Sequence, residues 1–140
     1  MNVPEQFFDT NVLLYLLSGD DAKADKVEEL ISQGGHISVQ VLNEFASIAT
    51  RKLKMTHAET REVLVPIRAV CHIHPLTEAV HDHGMQLAER YQLSIYDAMI
   101  VAAALTAGCT SLFSEDMQDG FVIRQTLRIH NPFHHDLPSW

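Results

Sequence analysis

Short strand-like segments alternate with helix-like segments along the chain, and this alternation constrains the fold more than any other feature of the sequence. We predict strands that end at residues 7–8 and that span residues 36–39, 70–74, 109–114 and part of 127–133. Strands separated by helices imply a parallel sheet that is covered by helices on both faces. In such a sheet, ligands bind beyond the carboxyl ends of the strands.

The segments between these strands show the signals of helices. Apolar spacing and end signals predict helices over residues 11–18, 21–33, 42–53, 77–91 and 95–107. A further helix opens at Thr56, which forms a possible capping box with Glu59. Pro66 lies inside that helix and predicts a kink or a break in it.

Length and composition indicate one ordinary globular domain. The chain has 140 residues, of which 46% are hydrophobic, and we treat residues 1–140 as a single domain with its own core. No apolar run is long enough to cross a bilayer, and no signal peptide is visible. Cys71 and Cys109 lie far apart and form no CxxC motif, so both read as reduced core residues. We therefore expect a cytoplasmic protein without a membrane role.

The charge of the chain argues against a broad basic surface for nucleic acid. The formal net charge is −8, although a nucleic-acid enzyme can concentrate carboxylates in a site that metal ions neutralise. The only dense basic cluster is Arg51, Lys52 and Lys54. These residues either contact phosphates or place favourable charges at the end of a helix.

Four acidic residues occupy positions where a parallel sheet would gather them. Asp9 directly follows the first strand, and Asp116 follows the fourth. Glu44 lies at the edge of an apolar helical stripe, and Asp97 lies in the first turn of the apolar helix "SIYDAMIVAAAL". If the first and fourth strands are neighbours, all four acids face one cleft.

Each of these acids also has a simple structural interpretation. Asp9 is suited to cap the helix that follows it, and Ser94 with Asp97 loosely fits a capping box. Glu44 fits a solvated helix position, and Asp116 fits a turn. The shared location of the four acids at one predicted end of the sheet favours a common site.

Electrostatics gives such a site a chemical consequence. Two carboxylates about 5 Å apart repel each other by about 3 kcal/mol at an effective dielectric constant of about 20. Four carboxylates together would require protonation of at least one of them, or a bound cation. Ligands that are all oxygen favour Mg²⁺ or Mn²⁺. An acidic cage beside a phosphodiester therefore predicts metal-assisted hydrolysis.

The segments "FFDTNVLLYLL", "SVQVLNEFASI", "SIYDAMIVAAAL", "LFSEDMQDG" and "IHNPF" carry a family resemblance that spans nearly the whole chain. The chain is similar to PIN-domain ribonucleases, especially the VapC-like toxins of toxin–antitoxin pairs. This resemblance implies a Rossmann-like α/β/α sandwich with a central parallel sheet. It also implies two sets of site residues. The acidic metal-binding set is Asp9, Glu44, Asp97 and Asp116, with Asp119 as a secondary candidate; the polar residues beside the site are Thr10, Asn11 and Ser114.

The resemblance further implies an activity and partners. We expect an endoribonuclease that uses Mg²⁺ or Mn²⁺ to activate water, which leaves a 5′-phosphate and a 3′-hydroxyl on RNA. We also expect a small antitoxin protein as partner and a homodimer. Two alternatives stay open: a stand-alone RNA-processing nuclease of the same family, and a non-catalytic scaffold that binds RNA or protein.

Other classes of site fit the sequence less well. His72 and His74 share one face of a strand, but no histidines show the tight spacing of a zinc site. A phosphoacceptor receiver domain needs an aspartate at the end of the third strand, where this chain has His74–Pro75. A haloacid-type phosphatase needs Asp-x-Asp, where this chain has Asp-Thr-Asn at residues 9–11.

Overall fold

A computed structural model describes residues 4–133, which form a six-stranded sheet flanked by helices. The order of the strands is β3-β2-β1-β4-β6-β5, and all neighbouring pairs are parallel except β5 with β6. The predicted α/β class with a central parallel sheet is therefore confirmed, except that the edge strand β5 is antiparallel. The strands are β1 (Gln6–Phe8), β2 (Gly35–Ser38), β3 (Cys71–His74), β4 (Ser111–Phe113), β5 (Val122–Ile123) and β6 (Leu127–His130).

The helices lie where the sequence predicts them, with one difference in type. They are α1 (Thr10–Leu13), α2 (Asp21–Ser32), α3 (Val39–Arg51), α4 (His57–Val70), α5 (Glu78–Tyr91) and α6 (Ile95–Thr106). The single helix predicted over residues 11–18 is one turn of α-helix followed by a 3₁₀ segment, Leu14–Leu17. Tightening of a last turn into 3₁₀ geometry is common in short helices.

Helix α4 corrects one expectation and confirms another. We predicted a kink or a break at Pro66; the helix is continuous through this residue, so the break is absent. Pro66 cannot donate to the carbonyl of Glu62, but both residues are exposed, so the missing bond lies on the exposed side of the helix. The capping box is confirmed, because the Thr56 hydroxyl accepts from the Glu59 amide at 3.0 Å and Glu59 accepts from the Thr56 amide at 2.8 Å.

Strand β5 was not predicted from the sequence. This two-residue strand pairs with β6 through a turn whose central residues, Arg124 and Gln125, have φ values of 53° and 63°. The Thr126 amide closes the turn on the Ile123 carbonyl at 3.2 Å. Turns with two left-handed residues usually carry Asn-Gly. Arg and Gln give no such signal, so nothing local predicts the hairpin.

The centre of the sheet determines where the site lies. Strand β1 pairs with β2 on one side and β4 on the other, and Phe7 and Phe8 are fully buried. Helix α6 is buried over seven consecutive residues, 98–104, which explains its apolar sequence. Because β1 and β4 are parallel neighbours, the residues that follow them emerge at the same edge of the sheet.

The described residues also bear on the cysteines and on membrane insertion. Cys71 and Cys109 are both buried and free of disulfides, as predicted. Burial raises the pKa of the Cys71 thiol to about 11, so this thiol stays protonated at neutral pH. Within residues 4–133, no helix combines the length and the apolar character that a membrane span requires.

Candidate active site

The four predicted acids line one cavity of about 450 Å³ at the carboxyl end of the central strands. They reach it from four separate places in the fold: the end of β1, helix α3, the first turn of α6 and the loop after β4. The structure therefore brings together the four main predicted acids, but not the secondary candidate Asp119. The residues that line the cavity are Asp9, Thr10, Asn11, Leu14, Glu44, Ser47, Ile48, Arg51, Tyr96, Asp97, Ile100 and Asp116.

Asp9 is the most deeply placed of the four acids. It is only 5% exposed, and its carboxylate accepts from the Thr10 amide at 2.7 Å, from Ser114 Oγ at 2.8 Å and from Asn11 Nδ2 at 3.2 Å. Burial raises the pKa of the Asp9 carboxyl to about 6; the bonds from Ser114 and Thr10 oppose this rise, and the charges of Asp97 and Glu44 add to it. Asp9 also occupies the N-cap position of α1. It therefore both caps this helix and lines the cavity, so the two interpretations from the sequence are compatible.

Asp97 combines a cap and a cavity position in the same way. The Ser94 hydroxyl accepts from the Asp97 amide at 3.2 Å and so caps α6, while the Asp97 carboxyl also bonds to the Ser94 side chain and lines the cavity. Partial burial raises the pKa of the Asp97 carboxyl, the bond to Ser94 lowers it, and the charge of Asp116 raises it further. The effects of Asp97 on Asp9 and of Asp116 on Asp97 indicate that these acids lie close enough to repel one another.

Thr10 and Asn11 hold the acids and the neighbouring loop in place. Thr10 Oγ1 donates to Glu44 Oε1 at 2.9 Å and so links the start of α1 to α3. Asn11 donates to Asp9, and its Oδ1 accepts from the Glu115 amide at 3.0 Å. These two polar residues, which the resemblance places beside the site, therefore orient the carboxylates themselves.

Ser114 connects the two strand ends. Its hydroxyl is completely buried; it donates to Asp9 and lies 3.3 Å and 3.4 Å from the amides of Asp116 and Met117, from which it accepts. One side chain thus fixes both the carboxylate at the end of β1 and the loop that carries Asp116.

We expect Ser114→Ala to lower the free energy of unfolding by about 1–3 kcal/mol, because it removes one of the three donors to the buried Asp9 carboxylate and the acceptor of two loop amides. The pKa of Asp9 should also rise further, since a bond that lowers it is removed. Urea unfolding at pH 7 measures the first effect, with the exposed Ser32→Ala as control. Equal destabilisation by the two substitutions would contradict the role of Ser114.

Asp119 is placed differently from the other predicted acids. It is exposed and is not among the residues that line the cavity. Its Oδ1 accepts from the Asn131 amide at 2.8 Å, which ties the loop after β4 to the segment after β6. The structure gives this carboxylate a bond that stabilises the loop.

The donor set fits a hard divalent ion by its chemistry. All four acids are carboxylates, and a cavity with this much like charge favours a cation or a proton. Among the residues that the structure describes, no three His, Cys, Asp or Glu side chains already form a cluster able to hold a metal ion.

Sequence reasoning did not single out Tyr96 or Ser47, which also line the cavity. Tyr96 precedes Asp97, and its side chain is 70% exposed. An aromatic residue in an apolar helix normally predicts burial, so no local signal assigned Tyr96 to the site. Arg51, which the sequence analysis left with two interpretations, also reaches this cavity.

Comparison with known families agrees with the fold. The model of the PIN domain family matches residues 7–119, and the chain belongs to this family. The match includes β1 through the loop after β4, and therefore all four acids of the cavity. A search of curated proteins gives no match.

Several solved structures share the fold at low sequence identity. A toxin–antitoxin complex from Klebsiella pneumoniae is 22% identical, with a TM-score of 0.68 over 91% of this chain and 97% of that one. The toxin VapC20 of Mycobacterium tuberculosis is 18% identical, with a TM-score of 0.65 over 79% of this chain and 89% of that one. VapBC2 from Rickettsia felis, bound to promoter DNA, is 16% identical, with a TM-score of 0.64 over 89% and 96% of the two chains.

Proposed function

We propose that this protein is a divalent-metal-dependent endoribonuclease and the toxin of a toxin–antitoxin pair. The observation that carries the proposal is the convergence of Asp9, Glu44, Asp97 and Asp116 from four elements on one cavity. Membership of the PIN-domain family supports a nuclease. The similar structures support a toxin: one is described as a toxin that cleaves the sarcin–ricin loop, and another is a toxin–antitoxin complex.

The four carboxylates would hold one or two Mg²⁺ or Mn²⁺ ions. When bound, such ions supply charge neutralisation at the phosphodiester and activation of water for in-line attack. The chain's own contribution is orientation. Ser114 and Asn11 fix Asp9, and Thr10 fixes Glu44, so that these two acids enter the reaction already positioned.

The test is cleavage of total RNA by the purified protein with Mg²⁺ or Mn²⁺, followed by analysis of the product ends. We expect 5′-phosphate and 3′-hydroxyl ends, because water is the attacking group and the 2′-hydroxyl of RNA takes no part. We also expect EDTA to stop the reaction. Cleavage that survives EDTA, or that leaves 2′,3′-cyclic phosphate, would overturn the proposed mechanism.

A small antitoxin is the partner we propose, with the protein acting as a homodimer in the cytoplasm. The net charge of −8 and the acidic cavity suit a basic partner segment. Expression of the chain alone should slow growth, and expression with the neighbouring small gene should restore it and yield a complex. Normal growth without the neighbour, with no complex, would favour a stand-alone RNA-processing nuclease.

A further inference from the structure

We propose that Tyr96 and Arg51 form an RNA-binding rim around the acidic cavity, with Tyr96 stacking on an unpaired base and Arg51 contacting a phosphate. The cavity would thereby select single-stranded RNA. This inference rests on the proposed function in taking RNA as the substrate. Two side chains that the catalytic arrangement does not use carry it.

Tyr96 presents an open aromatic ring on a fixed backbone. Its 70% exposure is higher than that of any other large hydrophobic side chain within residues 4–133. The side chain of Gln40, which is only 7% exposed, donates to the Tyr96 carbonyl at 3.1 Å and holds this turn of α6 in place. Across the described part of the chain, the Tyr96 ring stacks on no other aromatic ring. A ring of this kind is available for a base to stack on.

Arg51 is the only basic residue among those that line the cavity. It lies seven residues after Glu44 on α3, so the two side chains share one face of that helix, two turns apart. Within the described residues, Arg51 forms no ion pair within 4.0 Å with an acid of the cavity, so its guanidinium is open to a phosphate. Its planar guanidinium matches the geometry of a phosphate.

The two side chains together favour single-stranded over double-stranded RNA. Stacking on Tyr96 requires a base that has left its own helical stack, which unpaired RNA provides at low cost. A cavity of about 450 Å³ has the size of a pocket for one small ligand. In a chain of net charge −8, without a broad basic patch, stacking also supplies affinity that phosphate contacts alone would not.

The test is fluorescence anisotropy of a labelled, unstructured RNA with the full chain, with Ca²⁺ in place of Mg²⁺ so that binding is measured without rapid turnover. We expect Tyr96→Leu to weaken binding about 5- to 100-fold and Tyr96→Phe to restore it, because the stacking ring is what matters. Arg51→Gln should weaken binding and reduce the slope of log K against log salt by about 0.7, whereas Arg51→Lys should keep that slope. A matched RNA duplex should bind more weakly than the single strand.

An RNA series with one abasic nucleotide at successive positions identifies the stacked base. At one position, the abasic RNA should bind the wild type as weakly as intact RNA binds Tyr96→Leu. The Tyr96→Leu variant should bind that abasic RNA and intact RNA with equal affinity. If Tyr96→Leu binds intact RNA as the wild type does, the inference is overturned, and the exposed ring serves a protein partner instead. An absence of any RNA binding by the wild type overturns it as well.

The outcomes separate this inference from the proposed function. RNA binding that depends on Tyr96 and Arg51 in a wild type that cleaves no RNA with any divalent ion would support the rim and overturn the nuclease. Metal-dependent cleavage with KM unchanged by Tyr96→Leu and Arg51→Gln would support the nuclease and overturn the rim. Both residues are exposed, so thermal unfolding of the variants should match that of the wild type.

Discussion

Asp9→Asn should reduce RNA cleavage by about 100-fold or more while it raises the stability of the metal-free protein at neutral pH. The loss follows because the substitution removes the deepest of the four carboxylates from a site whose ions would supply several kcal/mol of charge stabilisation. Asparagine keeps the shape of the side chain and one oxygen acceptor. The effect on activity therefore reports the missing charge and not a collapsed cavity.

The expected gain in stability follows from the direction of the Asp9 pKa. Its value in the folded protein, about 6, lies above the ordinary value of 3.8, so the folded state binds the proton more tightly than the unfolded state. The cost of ionising Asp9 is absent below pH 3.8, grows between pH 3.8 and 6, and is complete above pH 6, where it reaches about 3 kcal/mol. Asparagine avoids this cost, but its weaker bonds to Ser114 and Thr10 reduce the net gain.

Urea unfolding in EDTA between pH 4 and pH 8 measures this effect. The free energy of unfolding of the wild type should fall relative to that of Asp9→Asn as the pH rises from 4 to 7. Asp82→Asn on the exposed face of α5 removes one charge outside the cavity and should follow the wild type. Parallel pH profiles for Asp9→Asn and the wild type would contradict the buried, ionisable state that we assign to Asp9.

Asp97→Asn should reduce the gain in free energy of unfolding that Mg²⁺ provides, without lowering the free energy of unfolding of the metal-free protein. In EDTA, the substitution removes repulsion with Asp9 and Asp116, so the free energy of unfolding should stay level or rise. A loss of 10- to 100-fold in metal affinity lowers the stabilisation at saturating Mg²⁺ by about 1.4–2.7 kcal/mol. Urea unfolding of both proteins in EDTA and at saturating Mg²⁺ measures the stability of the metal-free protein and the stabilisation by Mg²⁺.

The opposite pattern would assign Asp97 to the helix alone. If its only role is a favourable charge in the first turn of α6, its loss should cost a few tenths of a kcal/mol to about 1 kcal/mol, with or without metal. The result that would show this is an equal gain in free energy of unfolding from Mg²⁺ for the two proteins, together with a lower free energy of unfolding for the variant in EDTA. Asp82→Asn again controls for the loss of one charge.

The sequence predicted the acidic cavity because the relevant signals were local. Asp9 follows a short apolar strand, and Asp97 interrupts an apolar helix, so each stands out from its neighbours. The prediction of a common cleft depended on the pairing of β1 with β4, which the sequence alone does not establish. The structure shows this pairing. That one pairing brings Asp116 to the same cavity as Asp9, since it aligns the ends of two strands about one hundred residues apart in sequence.

The features that the sequence did not reveal depend on contacts between distant segments. The bond from Thr10 to Glu44 joins residues that are 34 positions apart, and no local pattern marks it. Tyr96 reads as one more apolar residue of α6, and only the packing of the helix shows that its ring is exposed. Strand β5 is two residues long and ends in a turn without glycine or asparagine, so it lacks the usual hairpin signal.

The rate of cleavage of one RNA in Mn²⁺, measured for the wild type and for single substitutions of the cavity acids, tests the central claim most directly. The set is Asp9→Asn, Glu44→Gln, Asp97→Asn and Asp116→Asn, with Asp82→Asn as the control for charge outside the cavity. The account predicts EDTA-sensitive cleavage by the wild type and by Asp82→Asn, and a loss of about tenfold or more in each of the four cavity variants. Cleavage at the wild-type rate by the cavity variants would contradict it.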